Sequence, residues 1–183
     1  MSSYVALFRG INVGGKHILP MQDLRDVLVS VGCENVQTYI QSGNAVFSAS
    51  ATADSLSSDI SDAIDNRFGF APQVLVLTVD RFKVIMAANP FPAGGETPQF
   101  LHVWFLTEAA VEPDLDALKD LQSDSEQFAL HDDAFFLLAP DGIGRSKVAA
   151  KVDRYLGVQT TARNWRTVSK LREMIDESDS HRF

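Results

Sequence analysis

Near the middle of the chain stands Asn89-Pro90-Phe91-Pro92-Ala93-Gly94-Gly95-Glu96-Thr97-Pro98, a stretch that neither a helix nor a central strand can cross. Each proline lacks the N–H that a helix interior or a sheet ladder uses, and the paired glycines add backbone freedom. On both sides of this break the hydrophobic pattern runs in the same order: strand, helix, strand, strand, helix, strand. That order is the split βαβ arrangement of ferredoxin-like folds. The expected class is therefore α+β, with two ferredoxin-like (βαββαβ) subdomains that look like an old duplication. The division expected is an N-terminal subdomain over 1–89, a Pro/Gly linker over 90–98, and a C-terminal subdomain over 99–183 that ends in an extra helix.

In the first half, Tyr4 to Phe8 is an apolar run of strand character. Pro20 is placed to open a helix in which Leu24, Val27, Leu28 and Val31 recur at helical spacing. Val36 to Ile40 and Ala45 to Ser48 read as hairpin strands around the turn Gln41-Ser42-Gly43-Asn44. Thr52 can cap a helix carrying Leu56, Ile60, Ile64 and Phe68 on one face, and Val74 to Val79 is the next strand. In the second half the strands are expected at Phe100 to Leu106, Glu126 to Leu130, Ala134 to Ala139 and Val158 to Thr161. Helices are expected from Pro113, from Arg145 to near Gly157, and over Val168, Leu171 and Ile175.

Composition excludes several classes of protein. No apolar run approaches a membrane span, and no cleavable leader pattern opens the chain, so the expected location is cytoplasmic. A single cysteine, Cys33, rules out an internal disulfide, and four scattered histidines offer no metal-ligand spacing, so neither metal nor cofactor is expected. The net charge of −8 is unevenly spread. Between Arg145 and Arg172 eight basic residues face Asp153 alone, a net +7, which leaves eight basic against twenty-three acidic elsewhere, −15. This asymmetry points to an anionic partner for one region, or to a solvated basic helix face balanced by acidic neighbours.

Three glycine- or amide-bearing segments attract attention. In Arg9-Gly10-Ile11-Asn12-Val13-Gly14-Gly15-Lys16 a strand breaks into glycines among Arg9, Asn12 and Lys16, donors and cations that suit an anion; a turn satisfied by its own side chains reads equally well. Gly10 to His17 nearly spells a P-loop, but His17 replaces the hydroxyl that ligates magnesium, and Pro20 starts the helix too late for the lysine and helix dipole to share one phosphate. The tip Gln41-Ser42-Gly43-Asn44 offers two amides and a hydroxyl, or simple turn chemistry. Ser42 lacks the elbow motif of a nucleophile. Arg145 and Lys147 in the first turn of a helix, with Arg163 and Asn164 further on, form a second basic group. Trp165 could stack a base or fill the core.

These segments, together with Tyr39-Ile40 before the tip and Thr161-Ala162-Arg163-Asn164-Trp165, resemble a widespread bacterial family catalogued as a domain of unknown function (the DUF series, number 1697). The resemblance runs over nearly the whole chain and implies a cytoplasmic α+β protein of two related subdomains. It brings no activity, substrate or catalytic residue with it.

The function expected is a binding module for an anionic, phosphate-containing ligand, a nucleotide or RNA, in a cleft between the subdomains. Arg9, Lys16, Arg145, Lys147 and Arg163 would supply charge, and Asn12, Gln41, Ser42, Asn44 and Asn164 would supply directional hydrogen bonds. A small-molecule transferase or hydrolase using the same cluster, and a protein-interaction module, are the alternatives. Salt-sensitive ligand binding marks the first, turnover the second, and a partner indifferent to the basic cluster the third.

Overall fold

A first strand buried on both faces, from Tyr4 through Phe8, explains how the N-terminal half is built. In the computed structural model, which describes residues 1–91 and 97–180, strand β1 (Ser2–Arg9) points Tyr4, Ala6 and Phe8 to one face, where they pack with two helices. Those helices are α1 (Met21–Ser30), contributing Leu24, Val27 and Leu28, and α2 (Ala53–Phe68), contributing Leu56, Ile60 and Ile64. The spacing of both triplets is that of one helical stripe. Thr52 caps α2 by accepting from the Ser55 N–H, and Gly69 closes it in the left-handed region. Cys33 joins this core, and burial pushes its thiol up to about 11.

Strands β2 (Glu34–Thr38), β3 (Asn44–Ala49) and β4 (Gln73–Thr78) complete the first sheet in the order β2-β3-β1-β4, every neighbouring pair antiparallel. Helix α3 (Val79–Ala87) follows without a break. The second half repeats the plan. Strands β5 (Leu101–Leu106), β6 (Gln127–His131), β7 (Ala134–Leu138) and β8 (Thr160–Asn164) pair as β6-β7-β5-β8, again antiparallel throughout. Trp104, Leu106, Phe135 and Leu137 pack against Leu118 of α4 (Leu115–Leu121) and against Val152 and Leu156 of α5 (Val152–Leu156). Helix α6 (Trp165–Ser180) is last. The molecule thus contains two four-stranded antiparallel sheets with flanking helices, each of ferredoxin-like order.

The chain divides into two compact units, Met1–Val84 with Lys170–Phe183, and Ile85–Ser169. The linker expected over 90–98 falls largely on 92–96, outside the described residues.

Two elements differ from the sequence reading. The helix expected from Arg145 is replaced by one-turn 3-10 segments at Ile143–Arg145 and Ala149–Lys151, and α-helix begins only at Val152. Ser146 ends the first segment with extended backbone (ψ 118), and its hydroxyl accepts from the Ala149 N–H. A short polar side chain that bonds the nearby backbone competes with helix there. The last strand, expected over 158–161, lies at Thr160–Asn164, so Arg163 stands in a sheet rather than a turn.

Candidate functional site

The loop after β1 is fastened from within. Asn12 sits at φ 54, a conformation asparagine tolerates better than most residues. Its side-chain nitrogen donates to Leu19 O at 2.9 Å and to Gln41 O at 2.8 Å, while its oxygen accepts from Leu19 N at 2.8 Å. One amide therefore holds both ends of the loop and ties it to the β2–β3 hairpin. Both of its N–H groups are used, so Asn12 has no donor left for a ligand. His17 adds a second fastening. Its Nδ1 lies 2.9 Å from Gly10 O, and a carbonyl can only accept, so that nitrogen carries the proton. The ring stacks on Phe70 at 4.7 Å.

Between these fastenings the chain reverses tightly. Val13 and Lys16 form a bridge closed by a Lys16 N–H to Val13 O bond of 3.1 Å. Gly14 and Gly15 at φ 59 and 73 supply the two left-handed positions of a primed hairpin turn. Lys16 is exposed at its end, and Arg9 is exposed where β1 stops. The Lys16 ammonium makes no hydrogen bond or ion pair among the described residues.

The hairpin tip is organised by Asn44, which is fully buried and donates to Tyr39 O at 3.0 Å and Ser42 Oγ at 3.2 Å. Gly43 (φ 81) gives its carbonyl to Phe8 N at 3.0 Å, and a Cβ there would lie 2.5 Å from Ile11 Cδ1 and 2.7 Å from Phe8 Cβ. Ile40 sits at φ 48 with 48 % of its surface exposed, a poor position for a β-branched residue. Gln41 and Ser42 are exposed beside it.

The sequence-predicted residues fall into different groups. The structure brings Arg9, Asn12, Lys16, Gln41, Ser42 and Asn44 to one end of the first sheet, through the Asn12–Gln41 and Phe8–Gly43 bonds. In the second unit Arg145 and Lys147 are exposed, but the segment they occupy is not the start of an α-helix. Arg163 is only 9 % exposed and donates to Ala162 O at 2.8 Å; burial lowers its pKa to about 10. Asn164 donates to Gln99 O at 2.9 Å, lies 3.2 Å from His102 Nε2, and accepts from the Arg166 N–H, which makes it the fastening at the start of α6. His102 is half-buried, and burial lowers its pKa.

The second unit supplies a control. Phe8 N bonds Gly43 O at 3.0 Å, and Leu106 N bonds Asp133 O at 2.9 Å, so β1 and β5 end in the same way against their hairpins. Arg9 ends β1 and Lys16 follows, without an acid before Asp23; after β5 come Glu108, Glu112, Asp114 and Asp116 without a cation before Lys119. The fold builds this loop with either sign of charge. The aliphatic residues Val13, Ile18 and Ile40, exposed at 64 %, 58 % and 48 %, are surface features that sequence pattern does not reveal. Their only signal there is position, because each lies within or beside a turn segment.

Among the described residues no helix is long and apolar enough to cross a membrane, and no group of three His, Cys, Asp or Glu side chains could hold a metal ion.

Residues 1–136 match the model of a family described as "Protein of unknown function (DUF1697)". The fold is similar to that of the conserved bacterial protein SP0830 from Streptococcus pneumoniae, at a TM-score of 0.73 and 25 % identity over 94 % of this chain and 98 % of that one. An unknown protein from Galdieria sulphuraria is 12 % identical over 89 % of this chain and 98 % of that one, at a TM-score of 0.26, too low to bear on the fold. No curated protein matches the chain.

Proposed function

The chain belongs to this DUF1697 family, and from that premise we propose that it is a binding module for an anionic, phosphate-containing ligand received at the loop after β1. The observation that carries this reading is the contrast between the corresponding loops of the two units. An equivalent loop in the second unit is built with Glu108, Glu112 and Asp114, so Arg9 and Lys16 are not a requirement of the fold. They are exposed on a loop that Asn12 and His17 fasten from within. Such a loop loses little conformational freedom when an anion arrives, and charge-assisted hydrogen bonds are the stronger kind. Gln41 and Ser42 stand beside the loop as further hydrogen-bonding groups. Arg145 and Lys147 are a second exposed basic group, in the other unit.

Titration with inorganic phosphate by calorimetry tests the reading. Lys16→Ala should weaken binding by about tenfold, the loss of one hydrogen bond to a charged group, and leave thermal stability unchanged because the side chain is exposed. Raising the ionic strength should weaken binding further. Unchanged phosphate affinity in Lys16→Ala would remove the loop from the site.

A further inference from the structure

Three exposed aliphatic residues, Val13, Ile18 and Ile40, belong to the segments joined at the loop that carries Lys16, and Val13 bridges Lys16 directly. Asn12 is what gathers them. Val13 follows it directly, Ile18 precedes the Leu19 that it bonds twice, and Ile40 precedes the Gln41 whose carbonyl it holds at 2.8 Å. Ile40 is the informative member. Its backbone is left-handed at φ 48, where glycine or asparagine would be relaxed and a β-branched residue is strained. Since this isoleucine is also half exposed, neither its backbone nor the core accounts for its presence. The corresponding hairpin in the second unit has His131-Asp132-Asp133 between its strands, so the fold does not require an aliphatic residue at such a tip. Next to Ile40 the Gln41 side chain is exposed and makes no hydrogen bond among the described residues, leaving an amide with both donor and acceptor.

A cation, exposed aliphatic residues and an amide on segments tied together by Asn12 match one kind of phosphate compound. Resting on the anion site proposed above, we infer that the ligand is a nucleotide, with its phosphate on Lys16 and Arg9, its base against Ile40, Val13 and Ile18, and the base edge on Gln41. Burial of the apolar face of a base supplies affinity that a sugar phosphate lacks, and an amide can pair with a base edge in both directions. A free nucleotide and one unit of single-stranded RNA share this chemistry.

The test is a calorimetric comparison of inorganic phosphate, ribose 5-phosphate, adenosine monophosphate and a short single-stranded RNA on the full chain. Adenosine monophosphate should bind about tenfold more tightly than ribose 5-phosphate. Ile40→Asn should abolish that difference, leave ribose 5-phosphate affinity as it was, and raise the midpoint of thermal unfolding by relieving the left-handed isoleucine. Ile18→Ser, which alters no left-handed position, should narrow the difference in the same direction. RNA binding tighter than adenosine monophosphate identifies a strand as the source of the nucleotide; equal or weaker binding identifies the free form. Equal affinities for phosphate, ribose 5-phosphate and adenosine monophosphate overturn the inference and leave the anion site standing. No binding of any of the three overturns both.

Discussion

Replacing Asn12 by alanine removes the three side-chain hydrogen bonds that fasten the loop, each between 2.8 and 2.9 Å. Two of them serve the N–H and C=O of Leu19, a fully buried residue, and neither group has another partner among the described residues. An orphaned buried polar group costs about 1–2 kcal/mol, so the pair costs roughly 2–4 kcal/mol. The Gln41 carbonyl is exposed and recovers a bond from water, adding little. Alanine at φ 54 adds about 1 kcal/mol more, since a Cβ is disfavoured in the left-handed region and asparagine tolerates it better. The sum is roughly 3–5 kcal/mol for Asn12→Ala, and about 1 kcal/mol less for Asn12→Gly, which keeps the backbone relaxed. Because the chain holds two units, hydrogen exchange is a cleaner assay than a single unfolding midpoint. The Leu19 amide should lose its protection in both variants, while amides of β5 and β7 keep theirs. If Leu19 exchanges as slowly in Asn12→Ala as in the unaltered protein, the fastening is not what orders the loop.

Other expectations concern packing and titration. Gly43→Ala should cost more than about 2 kcal/mol, from its left-handed φ and from a Cβ 2.5 Å from Ile11 Cδ1, and urea unfolding would show it. Leu28→Ala should destabilise by about 2–5 kcal/mol, since Leu28 is fully buried in the first core; an unchanged urea midpoint would mean its stripe is not packed. His102 has a folded-state pKa lowered by burial, so the unfolded chain binds more protons below its ordinary value of 6.5. Stability from this group is present above that value and lost as pH falls, and His102→Gln should flatten the decline between pH 7 and 5. The buried Cys33 thiol, raised to about 11, should resist alkylation at pH 8 until the chain is unfolded.

How far the sequence discloses this molecule depends on the length scale of each signal. Among the described residues, hydrophobic period and turn residues locate the eight strands to within a few residues and the long helices, because those signals extend over whole elements. The segment after Arg145 is harder to read, since a basic and apolar stripe at helical spacing is interrupted at one residue, Ser146, whose side chain bonds the backbone. Arg163 looks like a loop cation until the register of β8 against β5 places it opposite Val103, buried in the sheet. The asparagines carry the sharpest lesson. Asn12, Asn44 and Asn164 all sit among glycines or basic residues, as ligand-binding amides do, yet each spends its donors on carbonyls or side chains of the chain itself. Such bonds join residues up to 65 positions apart, as between Asn164 and Gln99, and no local pattern encodes them. The exposed aliphatic residues were hidden for the opposite reason, since only burial distinguishes Ile40 from the end of an ordinary strand.

The central claim is that the loop after β1 receives a phosphate group, and backbone amide resonances followed during a titration with inorganic phosphate test it most directly. The account predicts saturable shifts concentrated at Gly10, Gly14, Gly15 and Lys16, with smaller ones at Gln41 and Ser42, all lost in Lys16→Glu while the remaining spectrum is unchanged. Shifts absent from residues 9–16, or confined to the loop between β5 and α4 with its Glu108 and Glu112, would contradict it.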